Sequence, residues 1–229
     1  MLKAPKSSVL SRISQWALVE IDEVDVSFLA RQHRRRLSLT TQLALTAYHR
    51  CNPQAESVPT VFASRYGEYA RTFGILSDIA AGEPTSPAAF SVSVHNTPSG
   101  IVGIATSNQA PSSTVAANST TVEAGFLEAA LQHAGQSSED LIFIFVDEPL
   151  PDLYRTYQGP TDCAFAVGLR LTSSGSRSLE LSWAPQADDS EAPIKGIPQS
   201  GRAVVQRLNS GRGCWQFSDG RLCWDWTIE

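Results

Sequence analysis

Hydroxyl side chains cluster where one amphipathic helix is predicted to begin. Asn118-Ser119-Thr120-Thr121 precede Val122, after which apolar residues recur at helical spacing as far as Gly135. A serine hydroxyl attacks an acyl thioester only when a positioned base removes its proton. No Gly-x-Ser-x-Gly elbow surrounds Ser119, and no Asp/His pair stands in suitable context. The pattern favours helix capping, and a hydrolase or acyltransferase nucleophile at Ser119 is the alternative.

Two sets of charged residues suggest binding. Arg31, Arg34, Arg35 and Arg36 crowd one predicted helix, where they form either a docking patch for an acidic partner or an ordinary solvated face. Asp147 follows a buried strand, at the carboxyl end where sites of α/β sheets lie. We favour a structural role for Asp147, in which it caps a loop or bonds to nearby backbone.

Two further groups have both a functional and a structural interpretation. His95 and Asn96 either lie near a pocket or interface, or include a structural histidine whose hydrogen bonds are satisfied. The last segment is rich in aromatic residues, namely Trp215, Phe217, Trp224 and Trp226. They either pack a terminal hairpin onto the domain or contribute to an interface, with Trp224 and Trp226 as its candidates.

Composition excludes several classes of protein. The chain has 229 residues, 42% hydrophobic and 18% charged, with a formal net charge of −5. These values indicate a globular domain and argue against nucleic-acid binding as the main role. The longest apolar run, Leu141–Val146, is far shorter than the roughly 20 residues of a membrane span. No apolar secretory core follows the basic N-terminus, so we expect a cytoplasmic protein without membrane insertion.

The four cysteines, Cys51, Cys163, Cys214 and Cys223, form no pair or cluster with metal-ligand spacing. We expect reduced structural thiols, with Cys163 buried in an apolar run and no metal site. A disulfide between Cys214 and Cys223 across the terminal hairpin is the less favoured alternative.

Helices alternate with strands along the chain, which predicts an α/β layered domain. Helical patterns cover 29–49, 66–81 and 122–135, while 88–103 carries short strand signals. Strand patterns cover 141–146, 163–171 and 178–183, and Asp219-Gly220 predicts a hairpin over 213–227. We treat 1–229 as one domain, with 184–201 as a mobile loop because of its Pro, Asp, Glu and Ser content.

Several segments taken together resemble the β-ketoacyl synthases. Pro111–Thr121 is similar to the nucleophile region of that family, and the family's spacing of eight residues from Pro111 places Ser119 at the position of the catalytic Cys. Val61–Glu68, Phe90–Gly100 and Asp147–Pro151 resemble a short branch that holds only the N-terminal domain. This branch is chain-length-factor-like and is found with aryl polyene pathways. The resemblance covers roughly residues 15–170.

The resemblance implies a thiolase-like layered fold, a mixed sheet flanked by helices, and a reaction that this chain lacks the residues to perform alone. In the family, a cysteine at a helix N-terminus becomes a thiolate, and the second half of the chain supplies two histidines. No His-Gly-Thr or Gly-Phe-Gly-Gly motif occurs here, and the four histidines are His33, His49, His95 and His133.

The resemblance also implies partners. We expect a non-catalytic subunit that pairs as a heterodimer with an active, full-length β-ketoacyl synthase and shapes its acyl pocket through an apolar interface. An acyl carrier protein would dock on the arginines and bring phosphopantetheine with it, so that the chain itself needs no cofactor. A stand-alone acyl thioester hydrolase or acyltransferase using Ser119 is the alternative, and a scaffold that only recruits the carrier protein is a third hypothesis.

Overall fold

The computed structural model describes residues 6–35, 37–135, 140–157, 163–186 and 200–229. Its strands are β1 (Ser7–Glu20), β2 (Thr60–Ala63), β3 (Ser112–Val115), β4 (Leu141–Asp147), β5 (Phe165–Thr172), β6 (Arg177–Pro185), β7 (Gly213–Ser218) and β8 (Leu222–Ile228). Its helices are α1 (Arg31–Arg34), α2 (Leu39–Cys51), α3 (Tyr69–Ala81), α4 (Pro87–Phe90), α5 (Thr97–Thr106), α6 (Thr121–Gly135) and α7 (Ser200–Ser210). Short 3-10 helices span Ile21–Glu23, Asn118–Thr120 and Asp152–Tyr157.

The eight strands in the described part of the chain join one mixed sheet in the order β3-β2-β4-β5-β1-β6-β8-β7. β2 is parallel to both β3 and β4, whereas the remaining neighbours are antiparallel. The predicted mixed sheet flanked by helices is therefore confirmed, and so is the terminal hairpin of β7 and β8. Among the described residues, no helix combines the length and the apolar character needed to cross a membrane.

The sheet separates two hydrophobic clusters, and β4 contributes to both. Every residue of β4 is buried, as predicted from its uninterrupted apolar run. Phe143 and Phe145 join the first cluster, which α6 covers, whereas Ile142 and Ile144 join the second cluster, which α2 covers. The alternation of side chains along a strand thus gives each helical layer its own core.

Helix α6 lies unusually close to the sheet because Gly125 has no side chain. A Cβ at this position would lie 2.6 Å from Ala63 Cβ and 2.8 Å from Phe143 Cε2. The substitution Gly125→Ala is therefore expected to destabilise the fold by roughly 1–3 kcal/mol, because the extra methyl overpacks the core. Urea unfolding measures this change.

Gly74 in α3 is the matched control, because a Cβ there has nothing within 4 Å. Gly74→Ala is expected to stabilise the protein by up to about 1 kcal/mol through helix propensity alone. A Gly125→Ala variant as stable as Gly74→Ala would contradict the close packing of α6 on β2 and β4.

Two predicted elements are wrong. The helix predicted over 29–49 is divided into α1 and α2, because Ser38 Oγ accepts a hydrogen bond of 3.0 Å from Thr41 N and starts α2 anew. The strand signals over 88–103 are also wrong, since α4 and α5 occupy this region. Both are short helices with an early proline, a position that tolerates the missing N–H.

The cysteines differ in part from expectation. Cys163 is exposed, not buried, because β5 begins only at Phe165 and leaves Cys163 outside the sheet. None of the four cysteines forms a disulfide within the described residues. Cys214 pairs with Thr227 and Cys223 pairs with Ser218 across the hairpin, so the two cysteines do not face each other.

Of the loop predicted over 184–201, residues 187–199 lie outside the described residues.

Candidate functional site

The turn that carries Ser119 lies at the carboxyl edge of the parallel strands. β2, β3 and β4 run parallel, so the segments that follow them meet at one edge of the sheet. The backbone N–H of Ser64, just after β2, donates to the carbonyl of Val115 at 3.1 Å. The loop after β2 and the turn after β3 are therefore adjacent, and Asp147 at the end of β4 lies beside them.

Threonines, and not Ser119, hold this turn together. Asn118 adopts a left-handed backbone with φ of 51°. Thr120 Oγ1 donates to the Ala117 carbonyl at 2.8 Å, and Thr121 Oγ1 accepts from Ala117 N at 3.0 Å. The capping expected of Ser119 is thus carried out by its two neighbours, while Ser119 itself is half-buried at the start of α6.

The groups around Ser119 decide whether its hydroxyl can react. Within the described residues, no histidine or carboxylate hydrogen-bonds to its hydroxyl. His49 stacks on Phe28, and His95 bonds through Nε2 to the Ser64 carbonyl at 2.7 Å. His133 lies on α6 itself, about 20 Å along the helix axis at 1.5 Å per residue. The helix dipole can lower the pKa of a group at the start of α6, but no base among the described residues contacts Ser119 to remove its proton.

Asp147 organises the loop that follows β2. Its Oδ1 accepts hydrogen bonds from Ser64 Oγ at 2.8 Å, Arg65 N at 2.9 Å and Tyr66 N at 3.1 Å. Burial raises the pKa of this carboxyl to about 6, although these bonds and the nearby Arg65 guanidinium act in the opposite direction. Asp147 thus bonds to nearby backbone, which is the role we favoured for it.

Glu68 connects this loop to two helices. Its buried Oε1 accepts from Ser38 Oγ at 2.6 Å and from Thr41 Oγ1 at 2.8 Å, and its Oε2 accepts from Arg71 Nε at 3.1 Å. The starts of α2 and α3 are therefore held together through one carboxylate. The sequence assigns no role to Glu68, because two of its partners, Ser38 and Thr41, lie at the start of α2, inside the region predicted as one continuous helix over 29–49.

Gly67 brings His95 against the same loop. Gly67 has φ of 56°, and a Cβ there would lie 2.8 Å from His95 Cδ2. With its hydrogen bond to the Ser64 carbonyl, His95 fits the structural role considered for it, and Asn96 next to it is exposed. These contacts fix the direction in which α3 leaves the sheet.

Helices α3 and α4 present an apolar surface without a cover. No residue of either helix is buried. Four large side chains on or directly after these helices are exposed, namely Leu76 (48%), Ile79 (59%), Phe90 (65%) and Val94 (48%). We call this set the α3–α4 face. Contiguous exposed apolar surface is typical of interaction sites, and the i, i+3 spacing of Leu76 and Ile79 places both on one side of α3.

The arginines predicted as a docking patch lie on α1 and directly after it. Arg31, Arg34 and Arg35 are exposed and close together, whereas Arg36 lies outside the described residues.

The interface predicted for Trp224 and Trp226 needs correction. Both side chains are buried in the first hydrophobic cluster. Trp226 stacks on Trp215 and donates from Nε1 to Glu123 Oε1 at 3.3 Å. Their aromatic surface is used to pack the hairpin against α6, and almost none of it is left for a partner.

Comparisons with known proteins agree with this fold. The chain matches the sequence profile described as "Beta-ketoacyl synthase, N-terminal domain" over residues 11–227. No curated relative matches the chain. A solved complex of the ketosynthase ApeO with its chain length factor ApeC from Xenorhabdus doucetiae contains a similar chain. The TM-score is 0.76 at 25% identity, and the match covers 96% of this chain and 99% of that one.

Two more distant structures share the fold. The ishigamide ketosynthase/chain length factor matches with a TM-score of 0.63 at 13% identity, covering 89% of this chain and 72% of that one. A beta-ketoacyl synthase from Burkholderia phymatum STM815 matches with a TM-score of 0.53 at 10% identity, covering 83% and 67%. The thiolase-like ketosynthase fold predicted from the sequence is confirmed. With nearly its whole length matched by the family profile, the chain belongs to the family of beta-ketoacyl synthase N-terminal domains.

Proposed function

We propose that the chain is a non-catalytic, chain-length-factor-like subunit that pairs with an active β-ketoacyl synthase. The observation that carries this proposal is the likeness, over nearly the full length of both chains, to a chain of a ketosynthase complex with its chain length factor. The pathway we propose is aryl polyene assembly, on the basis of the sequence segments that resemble that branch.

The chemistry around Ser119 supports a non-catalytic role. A condensing enzyme needs a nucleophile that accepts the acyl chain, and a hydroxyl is a poor substitute for a thiolate without a base. Among the described residues, no such base contacts Ser119. The active partner would therefore supply the nucleophile and the proton transfers.

The α3–α4 face is the surface we assign to this partner. Helix α3 begins directly after a loop that Asp147 and Glu68 anchor by hydrogen bonds, and apolar side chains on an anchored helix lose little entropy on binding. Phe90, at the end of α4, is the largest of these exposed side chains. We assign Phe90 to the wall of the partner's acyl pocket, where its bulk would limit the length of the growing chain.

An acyl carrier protein is the second proposed partner. Arg31, Arg34 and Arg35 give α1 an exposed cationic surface suited to an acidic protein. Reversing the charge with Arg34→Glu and Arg35→Glu is expected to weaken carrier binding to the complex at least tenfold. Arg212→Glu with Arg221→Glu makes the same charge change on the terminal hairpin and should leave the affinity within twofold. Equal effects of the two pairs would remove the docking assignment.

Co-expression tests the pairing itself. The tagged chain is expressed with each full-length β-ketoacyl synthase of its source organism. The molar masses of the complexes are then measured by light scattering after size-exclusion chromatography. We expect one synthase to co-elute at a 1:1 ratio and to gain condensing activity, with activity unchanged by Ser119→Ala in this chain. The proposal fails if no synthase co-elutes, or if the chain alone turns over thioesters and Ser119→Ala abolishes that turnover.

A further inference from the structure

A second concave surface lies on the α2 and α5 side of the sheet. It is a cleft of about 440 Å³, bordered by residues of α1, α2, α3 and α5 and by the segment after α4. Its size falls within the roughly 300–1,000 Å³ typical of small-molecule sites. The cleft is therefore large enough for a ligand and not merely a packing defect.

The larger part of the cleft's lining is apolar and continuous with the core, although Thr41 and Thr97 also line it. Leu37, Ile101 and Ala105 line it and also pack against the second hydrophobic cluster. Ile104 forms part of its wall and is 73% exposed, so that a large aliphatic side chain faces solvent where a ligand would cover it. An extended alkyl chain fits such a lining because it needs no hydrogen-bond partner.

The rim of the cleft is basic. Arg35, His33 and Arg71 line it, and none of the described lining residues is acidic. Arg71 is engaged by Glu68, whereas Arg35 is exposed at the end of α1. Arg31 and Arg34 lie close to Arg35 and add to the positive field. A ligand whose apolar tail lies inside the cleft would therefore place its anionic head group next to Arg35.

This cleft is distinct from the turn that carries Ser119. Ile101 and Ala105 belong with Phe62 and Ile144 to the second cluster, whereas α6 packs on Val61 and Phe143 on the other face of the sheet. The sheet itself separates the two places. A ligand in the cleft would thus not be in contact with Ser119.

We propose that the cleft binds an anionic single-chain amphiphile. Its unbranched alkyl tail would lie along Leu37, Ile101, Ile104 and Ala105, and its carboxylate or phosphate head would bind Arg35 with help from His33. The inference rests on the apolar interior and the basic rim, and it is independent of the proposed pairing with a synthase.

Isothermal titration calorimetry on the full chain tests the proposal. The probes are sodium dodecanoate, dodecyl phosphate and 1-dodecanol, each below its solubility or micelle limit. We expect one or both anions to bind in the micromolar range and at least tenfold more tightly than the alcohol. The preferred anion distinguishes a fatty-acid head from a phosphate head. Equal binding of all three probes, or no binding of either anion, would overturn the proposal.

Paired variants locate the binding. Ala105→Phe fills the interior of the cleft, and Arg35→Gln removes the head-group contact. Each variant is expected to bind the preferred anion at least tenfold more weakly than the wild type. Ala70→Phe places the same ring on an exposed position of α3, and Arg31→Gln neutralises a neighbouring arginine that does not line the cleft. Both controls should bind within about threefold of the wild type. Arg35 is exposed and its variant will fold, so wild-type affinity in Arg35→Gln refutes the assignment even if Ala105→Phe is unstable.

Discussion

Replacing Ile79 and Phe90 by aspartate is expected to abolish co-purification of the chain with its partner synthase while leaving the chain folded. Both side chains are largely exposed in the isolated chain, so the substitutions cost little stability there. In the complex, each aspartate would be an unpaired charge within an apolar contact. The loss of two anchors of at least about 2 kcal/mol each predicts an affinity loss of roughly a thousandfold.

The matched control places the same two charges elsewhere on the molecule. Leu10 on β1 and Leu131 on α6 are also exposed large aliphatic residues, and neither belongs to the α3–α4 face. Leu10→Asp with Leu131→Asp should co-elute with the synthase as the wild type does. Affinity is measured by biolayer interferometry and folding by thermal unfolding. Wild-type affinity in the Ile79→Asp, Phe90→Asp variant would show that the partner binds another surface.

The sheet and the terminal hairpin could be predicted because their signals are local. The apolar run of β4 demands cover on both faces, and the structure provides it. Asp219-Gly220 specifies its turn by itself, since Gly220 has φ of 88° and Asp219 Oδ1 accepts from the N–H groups of Arg221 and Leu222 at 2.8 Å. Neither element depends on a distant residue for its identity.

The helices α4 and α5 could not be predicted because distant contacts fix them. Thr72 Oγ1 donates to the Ser93 carbonyl at 3.1 Å, and Ser99 Oγ donates to Ser112 Oγ at 3.0 Å. Short helices are marginal by themselves, so the bond from α3 to Ser93, between α4 and α5, and the bond from α5 to β3 help to stabilise helices in a segment whose β-branched residues favour strands. The segments that resemble a family nevertheless predicted the fold, since the resemblance carries information about distant contacts that periodicity does not.

The same limit applies to the loop at the sheet edge. Ser64 and Asp147 are 83 positions apart in the sequence, and only the parallel pairing of β2 with β4 brings them within a hydrogen bond. The sequence shows that Asp147 follows a buried strand, but it does not show which three groups donate hydrogen bonds to its carboxylate. Likewise, the Trp residues of the hairpin are visible in composition, while their burial against α6 depends on how the hairpin folds back.

Replacing Asp147 by alanine is expected to lower the free energy of unfolding by about 3 kcal/mol, because Ser64 Oγ, Arg65 N and Tyr66 N lose their shared acceptor. Urea unfolding near pH 4, close to the pKa of 3.8 in the unfolded chain, measures this change, because ionisation of the carboxyl then opposes folding only weakly. Asp152→Ala is the matched control, because this carboxylate is exposed and its bond to Arg155 contributes at most about 0.5 kcal/mol. Equal losses in the two variants would contradict the anchoring role.

The pKa of Asp147 gives a second, independent test through pH. Burial raises this pKa from 3.8 to about 6, so the carboxyl ionises less readily in the folded chain than in the unfolded chain. Its contribution to stability is therefore most favourable below pH 3.8 and declines as the pH rises through 6. Asp147→Asn removes this titration but keeps an oxygen that accepts from the same donors.

Between pH 5 and pH 7.5, the wild type is therefore expected to lose about 1 kcal/mol of stability relative to Asp147→Asn. Glu148 has a pKa raised by burial as well, but it is present in both proteins, and the comparison largely cancels its effect. Parallel pH profiles for the two proteins would mean that Asp147 ionises freely in the fold. A carboxyl that is accessible to water would not hold the Ser64–Glu68 loop rigidly. Helix α3 would then lack the anchored loop on which we base the affinity of the α3–α4 face for a partner.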